Sequence, residues 1–88
     1  MADADTLLEF PCEFPIKVMG ETRDDFTATM LEIVRLHAPD VDASRVESRP
    51  SSSGKYLSLT ITITATSKPQ LDDLYRSLSG HPMVKVVL

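Results

Sequence analysis

A chain of 88 residues with 42% hydrophobic and 25% charged residues has the size and composition of one globular domain, which we place over residues 1–88. Its formal net charge of -4 argues against broad binding to nucleic acid or to an anionic membrane, because both need a clustered excess of Lys and Arg. The lone Cys12 excludes an intrachain disulfide, and no apolar run reaches the roughly 18 residues of a membrane span, so we expect a cytoplasmic protein without membrane contact.

The amino-terminal segment has a polar start and an apolar end. Residues 1–5 are small and acidic, and we expect them to be flexible. Residues 6–12 include three large apolar side chains, which predicts that this segment docks on the domain. Alternating apolar residues then predict a first strand, ended by Gly20, that contains Phe14, Ile16 and Val18.

A first amphipathic helix is predicted between Thr22 and Ala38. Thr22 is the expected N-cap, and Asp24 and Asp25 fall in the expected first turn, where negative charge suits the helix dipole. Pro39 disfavours a helical conformation at the residue before it, so we expect the helix to end near Ala38. One apolar stripe recurs at steps of three and four: Phe26, Met30, Ile33, Val34 and His37.

Two strands are predicted next, joined by a polar segment over residues 50–54. Charged residues alternate with Val46 and Ser48 over residues 45–49, which is typical of a short strand at a sheet edge. The strand predicted over residues 54–66 alternates apolar and hydroxyl side chains, which indicates one buried and one exposed face. Its apolar side chains occupy the odd positions: Leu57, Leu59, Ile61, Ile63 and Ala65.

A second helix and a last strand complete the chain. Ser67 followed by Gln70 is a capping-box pattern, and Gly80 is expected to end the helix in a left-handed conformation. The β-branched segment 83–88 predicts the fourth strand. The predicted buried stripe of this helix is Leu71, Leu74, Tyr75 and Leu78.

The order strand, helix, strand, strand, helix, strand predicts an α+β fold, the ferredoxin-like βαββαβ plaited sandwich. We expect a four-stranded antiparallel sheet in the order 4-1-3-2, with both helices on its apolar face. The opposite face is left open, and we expect it to display Lys17, Met19, Tyr56, Ser58, Thr60, Thr62, Thr64 and, from the fourth strand, Lys85.

No residue suited to catalysis or metal binding stands in a sequence pattern that supports such chemistry. Cys12 has no neighbouring His to activate a thiolate, and His37 and His81 lack metal-ligand spacing. The acidic pairs at 24–25 and 72–73 are both expected in the first turns of helices, where the helix dipole accounts for them. We therefore predict no catalytic residue, no metal site and no cofactor.

The serine-rich segment 51–55 allows two interpretations. Its hydroxyls, with Gly54 and Lys55, could hold an anion through backbone amides, or they could form an ordinary hairpin loop. The segment is not a phosphate-binding P-loop, because that motif has an earlier glycine, has Ser or Thr after the lysine, and leads into a helix.

Two other classes of function remain as alternatives. RNA-recognition domains stack bases on two or three aromatic rings of an open sheet face, whereas only Tyr56 offers a ring here, which disfavours nucleic-acid binding. The second alternative is a small enzyme of the acylphosphatase type, because acylphosphatases share the predicted topology. Their arginine belongs to a glycine-rich anion loop, whereas Arg23 stands beside Asp24 and Asp25.

Four stretches together carry a family resemblance: residues 7–20 (LLEFPCEFPIKVMG), 37–39 (HAP), 50–56 (PSSSGKY) and the closing Val-Val-Leu. In this combination the chain resembles the YbeD-like family of small bacterial proteins. The resemblance implies a ferredoxin-like fold similar to ACT-type regulatory domains, and it supplies no catalytic residue. ACT-type domains often sense small molecules near the loop after the first strand, which corresponds here to Gly20, Glu21 and Thr22.

These observations together predict a non-enzymatic regulatory or binding module that acts through a protein partner or a small-molecule effector. We expect a monomer or a weak homodimer, because the fourth strand would leave a poorly guarded sheet edge. The candidate contact residues are Gly20, Glu21, Thr22, Ser51, Ser52, Ser53, Gly54, Lys55 and Tyr56.

Overall fold

The computed structural model describes residues 9–88, so the flexibility expected of residues 1–5 lies outside the described residues. Of the segment expected to dock, residues 6–8 also lie outside the described residues, whereas Phe10 and Cys12 lie against the core and are half-buried. A short 3-10 helix, Ala43–Arg45, precedes the second strand. The other elements are β1 (Cys12–Glu21), α1 (Phe26–His37), β2 (Glu47–Pro50), β3 (Tyr56–Ala65), α2 (Lys68–Ser79) and β4 (Val84–Val87).

The four strands form one antiparallel sheet in the order β2-β3-β1-β4, which is the predicted order read from the other edge. β1 and β3 are paired along their whole length, from Cys12 opposite Ala65 to Glu21 opposite Tyr56. β2 and β4 are short and pair with only part of their neighbours. The predicted α+β, ferredoxin-like architecture is confirmed.

Both helices cover the same face of the sheet. Met30 of α1 and Leu74 of α2 are fully buried in one core cluster with Ile16 and Ile61 of the central strands. Side chains at alternate positions of these strands, such as Lys17, point to the uncovered face and are exposed. Among residues 9–88 no polar or charged residue is buried, so apolar packing alone fills the core.

The start of α1 differs from its prediction. The helix begins at Phe26, and Asp25 occupies the N-cap position without a side-chain capping bond. The Asp25 carboxylate instead accepts from the Arg23 guanidinium at 2.9 Å, and Thr22 bonds to another loop. Asp24 and Asp25 therefore precede the helix rather than filling its first turn. The buried stripe includes Leu31, whereas Ile33 and His37 are half-buried.

α2 begins as predicted and ends differently. The Ser67 hydroxyl accepts from the Gln70 amide at 3.2 Å, but the Gln70 side chain caps the Thr66 amide at 2.7 Å rather than that of Ser67. Gly80 is right-handed, with φ -83°, because its amide continues the helical pattern by bonding to the Arg76 carbonyl. The predicted left-handed end is wrong.

The acidic pair of α2 lies beyond the first turn, contrary to the prediction. Asp72 pairs with Lys68 at 3.1 Å, and Asp73 pairs with Arg76 at the same distance. These contacts join residues four and three positions apart, so ion pairs on the helix surface account for both carboxylates.

Candidate functional site

The two predicted contact segments meet in space at one end of the sheet. The Thr22 amide donates to the Lys55 carbonyl at 2.9 Å, and the Thr22 hydroxyl donates to the Gly54 carbonyl at 2.7 Å. Glu21 lies opposite Tyr56 in the β1–β3 ladder. We call this surface the hairpin corner, comprising Glu21, Thr22, Ser51, Ser52, Ser53, Gly54, Lys55 and Tyr56.

Gly20 is part of β1 rather than of the loop after it, and it is buried. A Cβ at this position would collide with the Met83 carbonyl oxygen and would lie 2.6 Å from Cε1 of the Phe26 ring. The register between β1 and β4 also shifts between Met19 and Gly20. The geometry therefore gives Gly20 a packing role beneath the hairpin corner.

The serine loop, residues 51–55, is tied together by its own polar groups. The Ser51 amide donates to the Tyr56 carbonyl at 2.8 Å, and the Gly54 amide donates to the Ser51 carbonyl at 2.9 Å. The amides of Lys55 and Tyr56 donate to serine hydroxyls of the loop. Gly54 has φ +78°, which favours glycine. Because these four amides are already engaged, side chains rather than a cradle of those amides are available to a ligand.

The uncovered face of the sheet contains a polar depression of about 190 Å³. Lys17 of β1 lies opposite Thr60 of β3, which in turn lies opposite Glu47 of β2. One step further along, Met19, Ser58 and Arg49 form the next row across the same strands. The depression is lined by Lys17, Glu47, Ser48, Arg49, Ser58 and Thr60.

A second depression of about 340 Å³ continues the first, because both are lined by Lys17, Arg49 and Ser58. Its other walls are mostly apolar. They consist of Met19, Pro50, Ser51, Tyr56 and Leu88. We call the two together the sheet-face trough, which has a polar half and an apolar half.

Lys17 and Arg49 are the electrostatic feature of the trough. Among residues 9–88 neither of the two forms an ion pair. Five other basic side chains each pair with a carboxylate: Arg23, Arg45, Lys68, Arg76 and Lys85. Lys55 lies near the same end of the sheet, with its Nζ 5.5 Å from the centre of the Tyr56 ring. A chain with a net charge of -4 thus gathers cations without carboxylate partners on this part of its open face.

The opposite end of the open face is closed by an ion pair. Arg45 Nη1 lies 2.7 Å from Glu13 Oε2, which links the 3-10 helix to β1 across β3. The hydrogen bond and charge of Arg45 hold the pKa of the Glu13 carboxyl below its ordinary value. Nearby, hydrogen bonds from Ser44 lower the pKa of Asp42. At this end of the open face Arg45 is therefore paired with a carboxylate, whereas Lys17 and Arg49 of the trough are not paired among residues 9–88.

The apolar half of the trough adjoins exposed apolar residues of β4 and of the position that follows it. Val86 lies opposite Met19 and is 44% exposed, and Leu88 is 71% exposed. Leu88 is held beside Lys17, because the Leu88 amide donates to the Lys17 carbonyl at 2.8 Å and its carbonyl accepts from the Lys17 amide at 3.1 Å. Exposed apolar side chains therefore lie directly next to an unpaired lysine.

One histidine lies beside a hydroxyl group among the described residues. His37 Nε2 lies 3.0 Å from Ser77 Oγ, a contact that sequence spacing did not reveal. Among the described hydrogen bonds none joins a carboxylate to His37, so the pair lacks the third group that orients a catalytic base. Within residues 9–88 no group of three or more His, Cys, Asp and Glu side chains is placed to hold a metal ion.

The sequence interpretation identified Lys17 and Tyr56 on the open face but missed Arg49. Arg49 lines the same depression as Lys17 only because β2 pairs with β3 in the register that sets Arg49 opposite Ser58. The alternation of charged residues over 45–49, counted back from the hairpin loop, is the sequence feature that could have indicated this position.

Comparison with known proteins places the chain among bacterial relatives. The sequence profile of a family described as "Protein of unknown function (DUF493)" matches residues 5–88. A UPF0250 protein of Paraburkholderia phytofirmans is 60% identical over 84 residues, covering 96% of this chain and 94% of the relative. A UPF0250 protein of Chromobacterium violaceum is 57% identical over 82 residues, covering 93% and 92% respectively.

Solved structures share the fold at low sequence identity. Protein HP0495 from H. pylori superposes with a TM-score of 0.75 at 17% identity, covering 92% of this chain and 85% of that one. The ACT domain from GTP pyrophosphokinase of Chlorobium tepidum superposes with a TM-score of 0.63 at 15% identity, covering 86% and 84%. Over the part of the chain that the structure describes, no helix is long and apolar enough to cross a membrane.

Proposed function

We propose that this chain, which belongs to the DUF493 family, is a non-enzymatic regulatory or binding module. The fold that it shares with an ACT domain supports this proposal. The observation that carries the proposal is the open sheet face, where Lys17 and Arg49 have no ion-pair partner among residues 9–88. The module acts through a protein partner or a small-molecule effector. The lone Cys12 agrees with action in the cytoplasm.

The hairpin corner is the proposed contact surface for a protein partner. Glu21, Thr22 and residues 52–55 are exposed, whereas the backbone behind them is fixed by the Thr22 bonds and by the β1–β3 ladder. A loop held on a rigid support presents its side chains in a defined arrangement and loses little conformational entropy on binding.

An enzyme of the acylphosphatase type is less well supported. Such chemistry needs an arginine free to bind an anion in the loop after β1. Arg23 here makes two hydrogen bonds to Asp25, at 2.9 and 3.3 Å, and this contact raises the pKa of the arginine. A substrate anion would have to compete with that carboxylate.

Nucleic-acid binding is the other alternative, and the arrangement of side chains offers it limited support. Lys17, Arg49 and Lys55 supply positive charge, but Tyr56 is the single aromatic ring among the described open-face residues. Base recognition on such a sheet uses two or three stacked rings. One ring fits a small molecule better than a strand of nucleotides.

The experiment that tests the proposal is affinity purification of the tagged chain from its native bacterium, with mass spectrometry of co-purifying proteins and metabolites. Ser52→Ala combined with Lys55→Ala should lose a specific partner without unfolding, because both side chains are exposed. Glu32→Ala combined with Arg35→Ala, on the exposed surface of α1, is the matched control. Identical partner and metabolite sets for both double variants and the unmodified chain would contradict the assignment of the hairpin corner.

A further inference from the structure

The sheet-face trough has the chemistry of a specific class of ligand. Resting on the function proposed above, we propose that it binds a small monocarboxylate with an apolar body. The carboxylate lies between Lys17 and Arg49 above Ser58, and the apolar body lies over Met19 and Leu88.

The position of the carboxylate follows from the strand order. β3 lies between β1 and β2, so Lys17 and Arg49 flank Ser58 and Thr60 on opposite sides of the same depression. An anion above these hydroxyls is met by a cation on each flank and by O–H donors from below. The guanidinium of Arg49 can bind both oxygens of a carboxylate, and Lys17 adds a point charge.

The charge of the ligand is limited by Glu47. Its carboxylate lines the same polar depression as Lys17 and Arg49, so the three side chains together carry a net charge of about one positive unit. A monoanion neutralises this charge, whereas a phosphate dianion leaves an excess of negative charge beside Glu47. The trough therefore favours a carboxylate over inorganic phosphate.

The apolar body follows from the residues beside the cations. Met19 lies next to Ser58 in the β1–β3 ladder, and Val86 lies next to Met19 in the β1–β4 ladder. At roughly 4.8 Å per strand, this apolar strip runs about 10 Å from the anion position toward β4. Val86 and Leu88 are exposed in the free protein, so covering them with an apolar chain removes their surface from water.

The test is a titration of the ¹⁵N-labelled full chain, followed by NMR, with hexanoate as the probe. We expect the largest shifts at the amides of Met19, Ser58 and Thr60. Propionate, which keeps the carboxylate and shortens the apolar body, should bind several-fold more weakly. Hexanamide, which keeps the body and removes the charge, should bind about tenfold more weakly, as should hexanoate at high ionic strength.

Variants assign the two halves of the trough separately. Arg49→Gln and Lys17→Gln should each weaken hexanoate binding about tenfold and leave hexanamide binding unchanged. Leu88→Ser should weaken hexanoate more than propionate. Arg35→Gln, which removes an exposed cation on α1, is the matched control and should change neither. All four positions are exposed, and the amide spectrum of each variant reports whether it remains folded.

Several outcomes would overturn the proposal. Equal binding of hexanoate and hexanamide, tighter binding of phosphate, or shifts that survive both Arg49→Gln and Lys17→Gln would each do so. Tighter binding of acetyl-leucyl-leucine would assign the trough to the carboxyl end of a peptide rather than to a small molecule. If hexanoate fails to bind while the hairpin corner still captures a partner, the trough proposal fails and the module function stands.

Discussion

The hydroxyl of Thr22 donates a 2.7 Å hydrogen bond to the carbonyl of Gly54, which is 32 residues further along the chain. The Thr22 amide donates to the next carbonyl, that of Lys55, at 2.9 Å. One threonine therefore ties the segment after β1 to the tip of the β2–β3 hairpin. This link, rather than a helix cap, is the structural role of the Thr22 side chain.

Thr22→Val keeps the shape of the side chain and removes the hydroxyl donor. We expect the free energy of unfolding to fall by about 0.5 to 1 kcal/mol, because the bond is solvent-exposed. We also expect faster hydrogen exchange at the Gly54 and Lys55 amides. Thr62→Val, on the open face, is the matched control. Equal exchange rates in the two variants would show that the hydroxyl does not hold the loop.

Gly20→Ala should destabilise the domain more than substitution of another glycine. The added methyl group would collide with the Met83 carbonyl oxygen and the Phe26 ring, and overpacking of this kind costs roughly 1 to 3 kcal/mol. For a domain of this size, that corresponds to a fall of roughly 5 to 20 °C in Tm.

Gly80→Ala provides the comparison for this prediction. Gly80 is right-handed, and a Cβ there would lie 3.2 Å from the Arg76 carbonyl oxygen, so a small adjustment accommodates it. Thermal unfolding followed by circular dichroism measures both variants. A Gly20→Ala protein as stable as Gly80→Ala would show that β4 moves away from β1 at little cost.

The alternation of apolar and polar side chains predicted the central strands correctly, because burial of one sheet face requires apolar residues at alternate positions. In β3 the side chains of Leu59, Ile61 and Ile63 are each at most 2% exposed, and a shift of one residue would turn all of them toward water. The same reasoning applies to Ile16 and Val18 of β1. Elements that bury an apolar face could therefore be located from the sequence.

Elements without a buried face could not be located in this way. All four residues of β2 are exposed, so the prediction of 45–49 had no apolar pattern to fix it, and the strand is Glu47–Pro50. Thr22 was assigned to a helix cap because local sequence shows only nearby amides. The carbonyl that accepts its hydroxyl lies on a distant hairpin, and the Lys17–Arg49 arrangement depends in the same way on strand pairing.

Arg45→Gln should raise the pKa of the Glu13 carboxyl toward its ordinary value. In the folded protein the hydrogen bond and charge of Arg45 lower this pKa. A carboxyl group whose pKa is lower in the folded state stabilises the folded protein at pH values above its unfolded-state pKa. This stabilisation is lost as the pH falls through the folded-state pKa. The stability difference between the unmodified chain and Arg45→Gln is therefore expected at neutral pH and should vanish in acid.

Carboxyl-detected NMR titration measures the Glu13 pKa directly, and chemical denaturation at several pH values measures the stability difference. Arg23→Gln is the control, because it removes the partner that lowers the pKa of Asp25 and does not touch Glu13. Both side chains of the Glu13 pair are at least half exposed, so high salt should reduce the effect. A Glu13 pKa that is the same with and without Arg45 would contradict this interpretation.

β4 is the edge of the sheet that we expect to support weak self-association. The backbone amide and carbonyl of Leu88 both bond to Lys17. Because the backbone groups of successive residues point to opposite sides of a strand, the amide and carbonyl of Val87 point away from the sheet. The other edge, β2, carries Glu47, Arg49 and Pro50, whereas β4 carries the single charge of Lys85, which lies 3.9 Å from Glu21. The outer backbone of β4 is thus less protected against pairing with another strand.

Val86→Lys should suppress this association. Val86 is 44% exposed, and in an antiparallel pair of edges the new cations would face each other or a neighbouring strand, weakening dimerisation by roughly an order of magnitude. Val87→Pro, which removes the outward amide, should have the same effect at some cost in packing. Leu36→Lys adds the same charge to α1 at an 82% exposed position and should leave association unchanged. Sedimentation velocity over a range of concentrations measures the association state of all four proteins. An unmodified chain that stays monomeric throughout would show that β4 does not pair with another strand.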